Sequence, residues 1–260
     1  MNRDHRPYFV KRAHLKFEKF YTNHFLRPHF KSLGRYFIFM RPWNVKIFGS
    51  PIEIGDYATF IASSDKKIRF SIWPHNKDEG IIKIGDFCMV CPGVRIGSAA
   101  GVFIDDGCMI ASSVYITDSD WHDIYNRIAP GKTAPVRIGK NVWIGDSAII
   151  CKGVTIGENS IIGAGAVVVS PIPANVIAAG NPAKVVKNLD PKEKFTTRAR
   201  WFAEPEKLFK ESNLWEKAML EKNTLLHWLR YLFFREKEIR CFSPMTPLLK
   251  AKPPRDSKTE

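Results

Sequence analysis

The sequence predicts a mainly β fold, a parallel β-helix of six-residue repeats with helical extensions at both ends. Residues 138–173 divide into six consecutive hexads, which begin at Ile138, Ile144, Ile150, Ile156, Ile162 and Val168. Each hexad opens with a β-branched aliphatic residue, and most place Gly second and a small or β-branched residue fifth. A helix would instead need apolar residues three and four apart, so the pattern indicates a coiled β-solenoid. We expect its Gly and Asn positions to supply the positive φ that tight corners require.

Residues 1–44 are predicted to form a basic, aromatic N-terminal extension. Positions 9, 13, 17, 20 and 21 share one helical face, which predicts an amphipathic helix through about residue 25. Such a helix could cap the open end of the solenoid. Its aromatic and basic side chains would equally suit a membrane surface, and the sequence leaves both alternatives open.

The repeat coil is predicted over residues 45–188 and is interrupted at 117–137. The six-residue spacing fails between Ile116 and Ile138, and we interpret this gap as one coil of eighteen residues plus four. We therefore expect a loop to leave the coil there. Loops held by a rigid scaffold frequently carry functional residues.

Residues 189–260 are predicted to form a C-terminal helical extension followed by a disordered tail. Apolar residues recur at helical spacing from Trp201 to Phe233, and after Pro244 the chain is rich in Pro and Lys. Both ends of the chain are basic. Residues 1–50 hold 11 basic and 2 acidic residues, 51–186 hold 12 and 13, and 187–260 hold 17 and 11.

Composition and charge exclude several classes of function. The net charge of +14 accompanies no nucleic-acid-binding motif, so we expect no nucleic acid partner. No signal peptide is visible, and the longest apolar run, Tyr36–Met40, is too short to span a bilayer. We expect a cytoplasmic protein, with peripheral contact at the inner face of the membrane through its basic aromatic ends as an open alternative. The five cysteines are interpreted as reduced thiols, and Cys88 with Cys91 lacks the second pair that a zinc site needs.

The interruption carries His122, the sole histidine between residues 76 and 226. Transfer of an acyl group to a hydroxyl needs a base whose pKa is close to neutral, and histidine is the side chain suited to that task. A single loop histidine is weak evidence by itself. Asp118, Asp120 and Asp123 in the same loop are candidates to orient its imidazole, and the sequence does not separate them.

The hexads, the Val142–Gly145 run (V-W-I-G) and the Ala179–Lys184 run (A-G-N-P-A-K) together resemble the hexapeptide-repeat acyltransferases, in the branch that acetylates sugars and xenobiotics. The resemblance is close over 84–188 and does not cover the two ends. It implies a left-handed β-helix, a homotrimer, acetyl-CoA as donor and no metal. It also implies that His122 is the catalytic general base, because the family carries that residue on a loop at this point of the repeat.

The same resemblance assigns the donor site residue by residue. It implies pantetheine contacts at Asp146, Ala164, Val169 and Ser170, and phosphate contacts at Lys184 and Lys187. Trp143 is expected beside them as a wall of the ligand site, although ordinary packing on the coil is an equal alternative. Asp146 and Ser170 depart from the Ser and Lys that the family's sugar acetyltransferases often have.

The acceptor is predicted to be a hydroxyl group of a carbohydrate. A precursor of a cell-envelope polysaccharide is the candidate carbohydrate. Loop residues are its candidate contacts, namely Asp118, Asp120, Asn126 and Arg127. Cys91 and Ala99 stand where the family's sugar acetylators carry Asn and Asp, so a simple galactoside or maltose acceptor is disfavoured. Transfer of another acyl group, a non-sugar acceptor and a non-catalytic trimeric scaffold stay open. A carbonic anhydrase on this scaffold needs three histidine ligands, whereas residues 84–190 contain only His122.

Overall fold

The chain folds as a left-handed parallel β-helix, as predicted. The structure is a computed structural model and describes residues 4–76 and 79–234. The coil has three flat faces, A, B and C, and successive strands along the chain lie on face A, then face B, then face C. Every pairing between neighbouring coils is parallel, and one antiparallel pair closes face B at the C-terminal end.

The strands of the three faces are short, because a corner follows each after a few residues. Face A contains β1 (Ser32–Leu33), β4 (Ile52–Ile54), β7 (Ile82–Ile84), β10 (Val102–Ile104), β13 (Val136–Ile138) and β16 (Thr155–Ile156). Face B contains β2 (Ile38–Met40), β5 (Thr59–Ile61), β8 (Met89–Val90), β11 (Met109–Ile110), β14 (Trp143–Ile144), β17 (Ile161–Ile162), β19 (Val176–Ala179) and β20 (Lys184–Asn188). Face C contains β3 (Val45–Phe48), β6 (Ile68–Ile72), β9 (Arg95–Ser98), β12 (Tyr115–Thr117), β15 (Ile149–Ile150) and β18 (Val167–Val168).

The first residue of each hexad points into the coil and forms its core. Ile138, Ile144 and Ile150 are almost completely buried, and their equivalents above and below repeat the pattern. Burying one such side chain contributes roughly 1.5–3 kcal/mol. The repeat therefore stabilises the fold through one stacked aliphatic column per face.

The Gly in the second place of a hexad has a different role from the one predicted. Positive φ occurs at the fourth place instead, for example at Asn141 (56°) and Asn159 (60°), whose side-chain amides are hydrogen-bonded at 3.0 Å. Gly145 is needed because coils stack closely: a Cβ atom there would lie 2.6 Å from the backbone nitrogen of Ala164. The prediction was thus right for Asn and for the fourth-place Gly153 (72°) and Gly165 (67°), and wrong for the second-place Gly.

The coil begins earlier than residue 45. Strand β1 pairs with β4 and β2 with β5, so a first coil already exists at Ser32–Met40. Its interior positions are Leu33 and Phe39, and the Phe39 ring stacks on Phe60 with centroids 4.4 Å apart. A search for β-branched aliphatic residues misses this coil because aromatic rings fill its interior.

The predicted N-terminal helix is present, but a different face packs on the protein. Helix α1 (Tyr8–Tyr21) continues through a π-helical turn (Thr22–Leu26) and a 3₁₀ turn (Arg27–His29). Its buried residues are Glu18, Thr22 and Leu26, where the Glu18 carboxylate accepts a hydrogen bond from the Arg41 backbone N–H at 2.7 Å. On the predicted apolar face, Phe9, Phe17 and Phe20 are at least half exposed, whereas Tyr21 is partly buried and packs against the core.

The C-terminal helices fold back over the start of the coil. They are α2 (Arg198–Trp201), α3 (Pro205–Leu220) and α4 (Leu225–Phe234), and a 3₁₀ turn at Pro42–Asn44 completes the helical segments. Tyr8 donates a hydrogen bond to Asn213 of α3, and the Asn223 amide donates to the Asp4 carbonyl at 2.7 Å. The predicted disordered tail lies outside the described residues.

Two further observations concern the described part of the chain. None of its helices is long and apolar enough to cross a membrane. Its four cysteines, Cys88, Cys91, Cys108 and Cys151, form no disulfide with one another.

Candidate functional site

The predicted loop leaves the coil at a single corner, between face C and face A. Ile116 and Ile138 are interior residues of consecutive strands, so twenty-two residues cover a step that takes six from Ile150 to Ile156 in the next coil. The interpretation of this gap as a full coil plus four residues was therefore wrong. The whole excursion is one loop, and it returns along the corner through a hydrogen bond from the Gly153 N–H to the Ala134 carbonyl at 2.9 Å.

Asp118 fixes the base of this loop. Its carboxylate is completely buried and accepts hydrogen bonds from the Ser98 hydroxyl at 2.9 Å and from the backbone N–H groups of Ala99, Ala100 and Gly101. These donors belong to the corner where two extra residues enter the coil. With all its contacts internal, Asp118 is available neither to an acceptor nor to His122, contrary to its prediction as a substrate contact.

Trp121 places His122 at the mouth of a cleft. Trp121 has a positive φ of 63°, and its indole Nε1–H donates to the Tyr115 hydroxyl at 3.2 Å. The ring lies against Gly97, where a side chain would collide with it. His122 follows immediately, is exposed, and borders the same cleft as Trp121.

The cleft has a volume of about 930 Å³ and runs along face C. Besides the loop, its walls contain residues that the sequence analysis did not single out, namely Arg69, Trp73, His75, Arg95 and Tyr115. The Arg95 guanidinium stacks over the Tyr115 ring at 4.4 Å, and His75 meets the Trp121 ring edge-on at 6.3 Å. Only the stacking of successive coils brings these residues together, and the sequence carries no local motif for them.

The other two loop carboxylates are also engaged. Asp120 forms an ion pair with Lys152 at 2.8 Å. Asp123 accepts hydrogen bonds from the N–H groups of Asn126 and Tyr125, which lower the pKa of its carboxyl group. Within the part of the chain that the structure describes, no carboxylate is hydrogen-bonded to the His122 imidazole.

The predicted acceptor contacts on the loop tip are accessible. Asn126 and Arg127 are exposed, although the Asn126 backbone is held in the turn capped by Asp123. Asp120 is also partly exposed beside its Lys152 partner. The structure thus keeps three of the four predicted contacts at the surface and buries Asp118.

The predicted donor residues lie at two different corners of the chain. Asp146 and Ala164 stack on successive coils at the corner between faces B and C, where the Gly165 N–H donates to the Asp146 carbonyl at 2.8 Å. Trp143 lies nearby on face B and is 46% exposed. Strand β20 carries Lys184 and Lys187, both exposed, along the end of face B.

The remaining two predicted donor residues lie at the corner that carries the His122 loop. Val169 and Ser170 follow β18, at the corner between faces C and A where His122 is also carried. Both are exposed. Within one chain, Val169 and Ser170 therefore lie at the same corner as His122. Asp146 lies at a different corner.

Comparison with known proteins gives matches over the coil. A family model for the bacterial transferase hexapeptide (six repeats) matches residues 135–170. A Saccharomyces cerevisiae protein named as an acetyltransferase is 44% identical over 121 residues, which are 46% of this chain and 62% of that protein. The galactoside O-acetyltransferase of Escherichia coli is 40% identical over 96 residues, 36% of this chain and 47% of that protein. This chain therefore matches less than two thirds of the length of these curated relatives.

A solved structure supports the same architecture. A mutant of an N-acyltransferase from Bacillus cereus, in complex with dTDP and coenzyme A, has a TM-score of 0.51 and 20% identity, and covers 75% of this chain and 96% of its own. At this identity the likeness concerns the fold alone. The sequence matches and this structure agree on a repeat coil.

Proposed function

The chain belongs to the hexapeptide-repeat acyltransferase family, and from that premise we propose that it transfers an acetyl group from acetyl-CoA to a carbohydrate hydroxyl. The observation that carries the proposal is the placement of His122. Its imidazole is exposed at the mouth of a large cleft, on a loop held rigidly at its base by Asp118 and Trp121. A base so positioned can reach a hydroxyl bound in the cleft.

In this mechanism His122 removes the proton from the acceptor hydroxyl as the oxygen attacks the thioester carbonyl. Backbone N–H groups hold the oxyanion of the tetrahedral intermediate, and coenzyme A leaves as the thiol. His122 then returns the proton to the departing sulfur. No acyl-enzyme is needed, because donor and acceptor meet directly at the base.

The donor site is proposed to lie between two copies of the chain in a homotrimer. Asp146 and Ala164 lie at a different corner from His122, so a second copy is needed to bring the two corners together. Small side chains at the Ala164 corner would let pantetheine approach the backbone, and the Lys184 and Lys187 ammonium groups suit the phosphates. Exposed Trp143, Val169 and Ser170 would complete the contacts.

The acceptor is proposed to be a precursor of a cell-envelope polysaccharide, bound while the protein contacts the inner face of the membrane. Two observations support membrane contact. Phe9, Phe17 and Phe20 of α1 are at least half exposed, and the residues around them are strongly basic. This combination is typical of helices that lie in a membrane interface.

The proposed function is tested by following thiol release from acetyl-CoA across a panel of sugars and nucleotide sugars. We expect His122→Ala to lower turnover by about 10²-fold or more, because the general base is lost. His29→Ala is the matched control, since His29 is also exposed but lies in the 3₁₀ turn after α1. Activity of His122→Ala close to wild type would exclude the base role. Coenzyme A binding without transfer to any acceptor would favour a non-catalytic scaffold.

A further inference from the structure

Three cations stack in register on face C beside the cleft. Lys46 pairs with Arg69, and Arg69 pairs with Arg95, on consecutive strands. All three side chains are exposed, and Arg69 and Arg95 line the cleft that His122 borders. Neighbouring strands are about 4.8 Å apart, and like charges directly opposite each other are destabilising. The arrangement therefore concentrates positive charge at the cleft wall.

Face A shows how the same protein neutralises cations elsewhere. There Glu53 lies in register with Lys83, and its carboxylate contacts the Lys31 and Lys83 ammonium groups at 2.8 and 3.9 Å. On face C, no acidic residue within 4–76 or 79–234 forms an ion pair with the three stacked cations. The described lining of the cleft contains no Asp or Glu either.

The other walls of the cleft suit a sugar ring. Trp73, Trp121 and Tyr115 contribute aromatic rings to the lining, and His75 adds a polar group. The Arg95 guanidinium stacks over the Tyr115 ring, 4.4 Å from its centroid, and this contact limits the motion of the guanidinium. A guanidinium held in this way can form paired hydrogen bonds with the oxygens of a phosphate or a carboxylate.

We propose that the acceptor is an anionic carbohydrate, whose phosphate or carboxylate group binds Arg69 and Arg95 while its reactive hydroxyl faces His122. This inference rests on the proposed function and names the class of its acceptor. It accounts for the unpaired charge on face C. It also accounts for the meeting of arginines, aromatic rings and the histidine in one cleft.

The first arm of the test measures transfer to matched acceptors. Glucose is compared with glucose 1-phosphate and with glucuronate, which separates a phosphate from a carboxylate requirement. In the Arg69→Gln/Arg95→Gln variant we expect KM for the anionic acceptor to rise about 10- to 100-fold at similar kcat, and KM for glucose to change much less. For wild type, KM for the anionic acceptor should rise with salt concentration.

Arg137→Gln is the matched control. Arg137 stacks over Phe103 at 4.6 Å, as Arg95 does over Tyr115, but it lies on face A. We expect this variant to keep the wild-type KM for every acceptor. A loss equal to that of the double variant would assign the effect to general charge and overturn the proposal.

The second arm measures binding without catalysis, so that the two hypotheses fail separately. Calorimetry of the His122→Ala protein measures the binding of glucose 1-phosphate and glucuronate without transfer. The same measurement with Arg69→Gln and Arg95→Gln added shows whether this binding requires the two arginines. Anion binding that requires Arg69 and Arg95, with no transfer by wild type, would support the charge assignment and remove the proposed function. Transfer that is equally efficient with glucose, or absence of anion binding by wild type, would overturn the inference while leaving acetyl transfer intact.

Discussion

The Trp121 indole lies over Gly97, so that a Cβ atom on Gly97 would come within 2.9 Å of the ring. This contact holds the loop that carries His122 against face C. It also explains why a glycine interrupts β9 at this point. The position of the proposed base therefore depends on a missing side chain in a neighbouring coil.

We expect Gly97→Ala to displace Trp121 and His122 together. Overpacking of this kind costs about 1–3 kcal/mol, and a shift of about 1 Å in a catalytic group can lower kcat about 10²-fold. Denaturant unfolding and thiol release measure the two effects. In a Trp121→Leu background the ring is absent, so adding Gly97→Ala should have little further effect. If Gly97→Ala lowers stability and kcat equally in the wild-type and Trp121→Leu backgrounds, the contact between Gly97 and Trp121 is not the cause of the loss.

The regular coils were predictable from the sequence because their interior positions repeat the same side-chain type. The first coil was not, since Leu33 and Phe39 replace the β-branched residues, and the true role of Gly145 appears only when coils are stacked. His122 was found through its place in the repeat. Arg69 and Arg95 were missed because face C is assembled from strands of different coils, with long stretches of sequence between them.

Asp118→Asn should destabilise the protein. The carboxylate accepts hydrogen bonds from one hydroxyl and three backbone N–H groups, and an amide would turn an N–H donor toward some of them. We expect a loss of roughly 1–3 kcal/mol in unfolding free energy, because a buried N–H donor is left without an acceptor. Asp123→Asn is the control, because Asn also caps such a turn. Similar stability of both variants would contradict the structural role of Asp118.

Arg198→Gln should release the C-terminal helices from the coil. The Arg198 guanidinium donates to the Phe87 carbonyl at 2.7 Å and to the Thr59 hydroxyl at 3.4 Å, and its burial lowers its pKa. In limited proteolysis we expect faster cleavage near residues 189–197. Mass spectrometry of the fragments identifies the cleavage sites. Arg200→Gln alters an exposed arginine of the same helix and should leave the rate unchanged. Equal cleavage of wild type and both variants would show that Arg198 does not anchor the segment.

Membrane contact through α1 is best tested in the full chain, because deletion of residues 1–44 would also remove the strands β1 and β2. We expect the triple variant Phe9→Ser, Phe17→Ser, Phe20→Ser to lose most co-sedimentation with vesicles containing anionic lipid. Each exposed ring contributes buried apolar area when a helix enters the interface, while the surrounding bases supply an attraction that salt weakens. Val186→Ser removes an exposed apolar side chain from β20 and should not alter binding. If the triple variant binds as wild type does, the aromatic face of α1 is not the membrane contact.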